Sequence, residues 1–282
     1  MKDEKKSMLD LMFITNNPDV ALAAENSGVN RIWIDLETKG KDLRQKNMDT
    51  VKSHHTVADI RHMSKVLKSA ELMVRINPWD QDSLQEIEDV IAAGAARIML
   101  PMWKKPEEVD AFLTAVNKRV ATTLLLETKE AVECLDVVLD NPLVEEIHIG
   151  LNDLHLSYGL TFMFELLSNG TVEKLCNKIA KKGIPYGFGG IARIGEGILP
   201  AERILCEHIR LGSKAVILSR AFFDLKKNPN AHNVEAIFRE EVGKLRENEK
   251  RYSQYGNERL LHMQKETSTI ISSIVTQFRK AK

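Results

Sequence analysis

The feature that most constrains this chain is a rhythm. Short apolar runs rich in β-branched residues alternate with helical patterns, and the runs recur eight times, at 9–15, 31–37, 72–77, 97–102, 122–128, 146–150, 185–189 and 215–219. Most are almost continuously apolar, as in RIWIDLE, RIMLP and TTLLLET. That pattern suits parallel strands covered on both faces. The intervening segments carry helix punctuation: Asn17-Pro18 precedes DVALAAENSG, Asp82-Ser83 precedes LQEIEDVIAAG, and Pro106 opens on EEVDAFLTAV. Gly28, Gly94 and Gly183 stand where such helices should end. Repeated βα units require right-handed crossovers, and eight of them in about 220 residues favour an α/β fold of the single, closed (β/α)8 type over an open doubly wound sheet. The stretch GFGGIA at 187–192 matches the glycine pattern of dinucleotide-binding turns. It follows the seventh run rather than an early one, and no strand-terminal acid lies about 20 residues beyond, which argues against a nucleotide fold.

At 282 residues the chain holds one such barrel, placed at 1–232, and a polar helical extension at 233–282. Ile270, Ile271, Ile274, Val275 and Phe278 give the extension an apolar stripe with no strand left to cover. The expectation is either a solvated helix or an arm packed on another subunit of a homo-oligomer. Forty basic and 40 acidic residues cancel, which argues against nucleic acid or a polybasic membrane contact as partner. Cys134, Cys176 and Cys206 show no metal or redox spacing, as for buried thiols in a reducing compartment. The opening MKDEKKSMLDLMF is charged and its apolar stretch is broken by Asp10, so it reads as neither signal peptide nor membrane span. A cytoplasmic location is expected.

In this architecture chemistry sits at the C-terminal ends of the strands. Those ends carry Asp35 and Glu37, Arg75 and Asn77, Glu127, Asn152 and Asp153, and Arg193 and Arg220. Glu127 and Asp153 follow neighbouring runs, and carboxylates on strands about 4.8 Å apart can share one cation. An all-oxygen set suits Mg²⁺ or Mn²⁺ over zinc. Each could instead be a helix N-terminal acid satisfying backbone N–H groups. Arg75, ending VRINP, could offer its fork to an enolate or carboxylate, or form a structural pair with Asp35 or Glu37. Glycines in GFGGIARIGEG, with Arg193 and Arg220, could receive a phosphate or other anionic substrate tail. Trp33 and the stripe Val132, Leu135, Val138 and Leu139 read as core. Lys104-Lys105 reads as a solvated loop and His148 as a satisfied barrel histidine.

The set IWIDLE, VRINP, IMLPMWKKPEEV, LLLET and IHIGLNDL resembles the 4-hydroxy-2-oxo-acid aldolase and citrate lyase β-subunit superfamily, the phosphoenolpyruvate/pyruvate-binding barrels. The resemblance runs from about residue 9 to residue 220, with the motifs in the family's order. It implies a divalent-metal-dependent carbon–carbon lyase acting on a 4-hydroxy-2-oxo acid through a pyruvate enolate. Glu127 and Asp153 would ligate Mg²⁺ or Mn²⁺, and Arg75 would steady the enolate oxygen. Backbone at Gly150, Leu151 and Asn152 would line the substrate carboxylate, while Glu37 or a loop histidine would assist deprotonation. The sequence departs from the pattern twice. Thr38 stands where the aldolases carry a histidine, so His54, His55 and His155 are substitutes to consider. Met102 stands where the citrate-lyase branch carries a lysine. A citrate-lyase-like acyl-CoA lyase or thioesterase, and a silenced barrel serving as a binding or assembly subunit, are the rival readings.

Overall fold

The computed structural model describes residues 8–40, 54–224 and 233–280. All eight runs form strands: β1 (Asp10–Ile14), β2 (Arg31–Asp35), β3 (Glu71–Arg75), β4 (Arg97–Leu100), β5 (Ala121–Leu126), β6 (Ile147–Ile149), β7 (Tyr186–Ile191) and β8 (Ala215–Leu218). Each pairs in parallel with the next, and β8 returns to β1, so the sheet closes into a barrel. The connecting helices are α1 (Pro18–Asn26), α2 (Val57–Val66), α3 (Ser83–Ala92), α4 (Pro106–Val116), α5 (Lys129–Glu133), α6 (Leu135–Val138), α7 (Leu151–Ser157), α8 (Glu165–Ser168), α9 (Thr171–Lys181) and α10 (Ala201–Leu211). Then come α11 (Val234–Ser253) and α12 (Asn257–Lys280). The punctuation behaves as its chemistry dictates. Asn17 caps α1 by accepting from the Val20 N–H at 3.0 Å, and Gly28, Gly94 and Gly183 take left-handed φ values of 92°, 102° and 72°.

The two-residue pleat sorts every strand. Ile32 and Ile34 of β2 join the outer core under the helices, while Trp33 joins Met12, Met73, Met99, Leu125 and Ala215 in a separate cluster inside the barrel. Below that apolar layer, at the N-terminal ends of the strands, lies a charged one. Arg31 reaches Asp10 at 2.9 Å, Glu71 at 2.9 Å and Glu146 at 2.6 Å, and Arg97 also reaches Glu71, at 2.8 Å. Above it, at the C-terminal ends, stand Asp35, Arg75 and Glu127. The sequence suggests charge at one end of the strands, but the structure has it at both, because Arg31, Glu71 and Glu146 share the inward phase of the pleat with Asp35, Arg75 and Gly150.

The extension differs from its expectation. Helix α11 packs on α1 and α10, the place of an eighth barrel helix, and α12 lies across α10 and α8 of the same chain. Ile271, Ile274 and Val275 are buried there, and Phe278 meets Phe162 edge-on with centroids 5.6 Å apart. The stripe without a strand therefore finds helices of its own barrel and needs no second subunit to leave water. Trp33, Leu135, Val138 and Leu139 are buried as expected, Val132 is half-buried, and Lys104 and Lys105 are exposed. All three cysteines are free thiols. Cys176 and Cys206 are buried, and burial pushes both thiols up to about 12, whereas Cys134 is only half-buried. Among the described residues no helix is long and apolar enough to cross a membrane.

Deleting Asn257–Lys280 should uncover α10 and α8. With Leu260, Ile271, Ile274 and Val275 each contributing roughly 1.5 kcal/mol or more by burial, the loss should be on the order of 5 kcal/mol. Urea unfolding of the truncated chain checks this, and a midpoint equal to that of the full chain would contradict the packing described.

Candidate active site

The mouth is assembled strand by strand. Asp35 at the end of β2 and Glu37 just beyond it are each 2% exposed, and Asp35 lies in register with Arg75 of β3. Arg75 Nε and Nη2 donate to the two Asp35 oxygens at 2.9 Å each, a bidentate fork, and Nη1 stands 3.2 Å from Glu37 Oε2. Beneath the guanidinium lies the Trp33 ring, 5.1 Å away, which adds a cation–π contact. Burial works against the arginine's charge, but Asp35 and then Glu37 outweigh it and hold its pKa above the ordinary value. The two readings of Arg75 thus coincide: it is ion-paired, and it stands at the mouth.

Glu127 follows β5 and is 3% exposed. It is not the cap of the next helix, since Thr128 fills that role by accepting from the Ala131 N–H at 3.1 Å. Two neighbouring strand ends are shaped around its carboxylate instead. A Cβ on Gly150 would lie 2.8 Å from both Cβ and Oε2 of Glu127, so the missing side chain at 150 is the space the carboxylate uses. On the other side Met102 holds φ at 54°, a left-handed conformation that costs a residue with a Cβ roughly 1–2 kcal/mol, and its N–H donates to Glu127 Oε1 at 3.1 Å. Asp153 sits in the first turn of α7, three residues past Gly150. Burial and, next, the negative charge of Asp153 push Glu127 well above the usual carboxylate range, and the opposing pull of Arg75 does not reverse this. A cation beside the two carboxylates would offset this repulsion and favour their ionised form.

That electrostatic arrangement fits a divalent ion. The donors are hard carboxylate oxygens, and among the described residues no group of three or more His, Cys, Asp or Glu comes together to hold a metal. One or two carboxylates with the remaining positions left to water and substrate is the habit of Mg²⁺, and Mn²⁺ accepts the same oxygens.

The other sequence candidates fall into place around this centre. The Leu151 side chain is buried, and a Cβ on Gly189 (φ 50°) would come within 2.7 Å of it, so only the backbone of Leu151 can serve the mouth. Asn152 is half-buried. Arg193 donates from Nη2 to the Phe222 carbonyl at 2.7 Å, tying the loop after β7 to the loop after β8, while Arg220 is exposed. Of the three histidines, His54 is exposed and His155 is buried in α7, with Nδ1 3.2 Å from the Leu151 carbonyl. His55 alone reaches the acidic cluster: the Asp35 N–H donates to its Nδ1 at 3.0 Å. Sequence reasoning missed a latch beside it. Lys39 Nζ joins Asp80 at 2.5 Å and Asp82 at 2.8 Å, while Asn77 Oδ1 accepts from the N–H groups of Thr38 and Lys39, fixing the loop after β2 to the loop after β3. The Asp-Gln-Asp triplet at 80–82 was the available signal.

The raised Glu127 pKa has a sign. Between the ordinary glutamate value near 4.5 and its folded value, the unfolded chain is ionised while the folded one keeps the proton. The EDTA-treated protein should therefore lose stability as pH rises through that window. Glu127→Gln should remove this dependence, raise the melting temperature of the EDTA-treated protein at pH 7, and abolish stabilisation by added Mn²⁺. Melting curves between pH 4 and 8 check all three, and a Glu127→Gln variant still stabilised by Mn²⁺ would refute the pairing.

Comparison with known proteins places these observations. A family model described as HpcH/HpaI aldolase/citrate lyase matches residues 10–165. No curated protein matches the chain by sequence. Among solved structures, an HpcH/HpaI aldolase from Desulfitobacterium hafniense shares 18% identity over 82% of this chain and 93% of its own, with a TM-score of 0.61. CitE from Mycobacterium tuberculosis, solved in complex with magnesium and pyruvate, shares 12% identity over 94% of this chain and 99% of its own, at 0.60. Macrophomate synthase shares 17% over 77% and 80%, at 0.53. At these identities the structures speak for the barrel alone. The family model covers more than half of the chain, through Asp35, Arg75, Glu127 and Asp153, and on that ground the chain belongs to the HpcH/HpaI aldolase/citrate lyase family.

Proposed function

We propose that this protein is a divalent-metal-dependent carbon–carbon lyase that cleaves or forms a 4-hydroxy-2-oxo acid through a pyruvate enolate. The observation that carries the reading is the buried carboxylate of Glu127, which burial and the charge of Asp153 hold well above the usual carboxylate range, next to the Asp35-bound guanidinium of Arg75. CitE, whose structure holds magnesium and pyruvate, lends the reading support by its fold. Glu127 and Asp153 would hold Mg²⁺ or Mn²⁺, which when bound supplies Lewis acidity to the oxo and carboxylate oxygens of a pyruvate unit.

The chain's own residues do the rest. Asp35 occupies two of the five guanidinium N–H groups of Arg75 and Glu37 stands against Nη1, and between them they aim the N–H groups that remain. Those donors meet the oxo oxygen as negative charge develops on it, and they do so without reorganising. Backbone at Gly150, Leu151 and Asn152 lines the substrate carboxylate. In cleavage, the 4-hydroxyl proton leaves to a base, the C3–C4 bond breaks, and its electron pair becomes the enolate, which then takes a proton at C3. Glu37, beside Arg75, is the base in this scheme. With its Nδ1 accepting from Asp35, neutral His55 carries its proton on Nε2 and is the acid. An anionic substrate tail would extend toward the loops bearing Arg193 and Arg220. Met102, with its side chain of no charge and its backbone spent on Glu127, gives no support to an acyl-CoA reading. A silenced scaffold would have little use for so costly a set of buried charges.

Deuterium exchange into the methyl group of pyruvate reports the enolisation step without knowledge of the aldehyde. The parent should exchange only with Mg²⁺ or Mn²⁺ present. Arg75→Lys keeps the charge but loses the fork, and should fall by about 10²–10³ with little change in melting temperature. A parent that fails to exchange, or a lysine variant as fast as the parent, would overturn the mechanism.

A further inference from the structure

The turn that leaves β4 and the turn that leaves β5 are stitched together at two adjacent points. Glu127 Oε1 accepts from the Met102 N–H at 3.1 Å. One residue further along both turns, Thr128 Oγ donates to the Trp103 carbonyl at 2.8 Å, in a bond that is buried. The direction of the second bond is fixed. A carbonyl can only accept, so the single hydroxyl proton of Thr128 is spent on Trp103, and a lone pair of the same oxygen takes the Ala131 N–H at 3.1 Å. Among the described residues no other group donates to that carbonyl. Between the two stitched groups lies the left-handed backbone of Met102, with φ at 54°. Glycine adopts that region freely, but a residue with a Cβ stays there only where its surroundings over-determine it. Glu127 holds one end of the strained segment and Thr128 the other. Without the hydroxyl, the buried carbonyl would lose its donor and turn toward water. Met102 would then relax to negative φ, and its N–H would leave the carboxylate.

We propose that Thr128 is a positioning residue for the carboxylate of Glu127, a role that rests on the reading of Glu127 and Asp153 as ligands of a divalent ion. Through the Trp103 carbonyl, its hydroxyl keeps Met102 in the one conformation whose N–H steadies the carboxylate, while the space at Gly150 receives the carboxylate from the other side. A ligand group that is already fixed loses little freedom when the ion arrives, so the hydroxyl acts on metal affinity. Capping α5 is its second task and a separate one.

Calorimetric titration of Mn²⁺ into the EDTA-treated full chain at pH 7 tests the role. Thr128→Val keeps the shape of the side chain but not its hydroxyl, and should bind about tenfold more weakly than the parent. Thr128→Ser retains both bonds and should bind within about twofold of the parent. Met102→Gly removes the left-handed penalty, so adding Thr128→Val to Met102→Gly should weaken binding only about twofold. A capping role alone would lower the melting temperature of Thr128→Val and leave its Mn²⁺ affinity at the parent's value. That result overturns the proposal, as does an equal loss with and without Met102→Gly. In both cases Glu127→Gln still abolishes binding, so the metal reading survives. A parent that binds no Mn²⁺, or a Glu127→Gln variant that binds it as the parent does, overturns the metal reading and the proposal together. If valine prevents folding, Thr128→Ala makes the same comparison with the same expected loss.

Discussion

The two-residue pleat of eight parallel strands is the constraint on which everything else rests. It sends every second side chain into a closed space that water does not enter freely, so whatever stands in that phase must be apolar or partnered. The barrel meets the demand in three layers. Charged groups below neutralise one another around Arg31, an apolar layer of Met12, Trp33, Met73, Met99 and Leu125 fills the middle, and charged groups above surround Arg75. The lower layer is closed: its acids all have cations. In the upper one burial and the charge of Asp153 hold the Glu127 carboxyl well above the usual carboxylate range, and the pull of Arg75 does not reverse this. The two ends therefore differ electrostatically, the lower one balanced by its arginines and the upper one keeping a carboxyl out of its ordinary range.

The fold was legible because its signal is redundant. Eight apolar runs, helix starts at Asn17-Pro18 and Pro106, and helix ends at Gly28, Gly94 and Gly183 all point to the same topology, and each is a local effect written in adjacent residues. Positions at strand ends were legible for the same reason, and so Asp35, Glu37, Arg75 and Glu127 were found. The lower ion network was not. Its members Arg31, Glu71, Arg97 and Glu146 look like ordinary strand-flanking charges, and only closure of the barrel brings Glu146 within 2.6 Å of Arg31, 115 residues away. The role of α12 escaped for a related reason, since an apolar stripe states that it must be covered but not by what.

Within the candidate site, the buried charged residues were read, while the residues that make room for them were not. Met102 caught attention only for the lysine it lacks, yet its contribution is a backbone N–H delivered through a strained φ. Among His54, His55 and His155 the sequence offered no ranking. In the structure it is His55 that lies against Asp35, accepting from its N–H.

Gly150 carries a consequence for how such a barrel can change over generations. Because Glu127 fills the volume that a side chain at 150 would need, the two positions are not free to drift separately. A lineage that acquires even an alanine at 150 must displace the side chain at 127, and loss of the carboxylate alone does not free the position, since the Cβ of residue 127 would still lie 2.8 Å away and Leu125 Cδ1 3.3 Å away. The two positions therefore change together or not at all. A strand end that gives up its own side chain so that its neighbour's carboxylate can stand there has traded two independent positions for one.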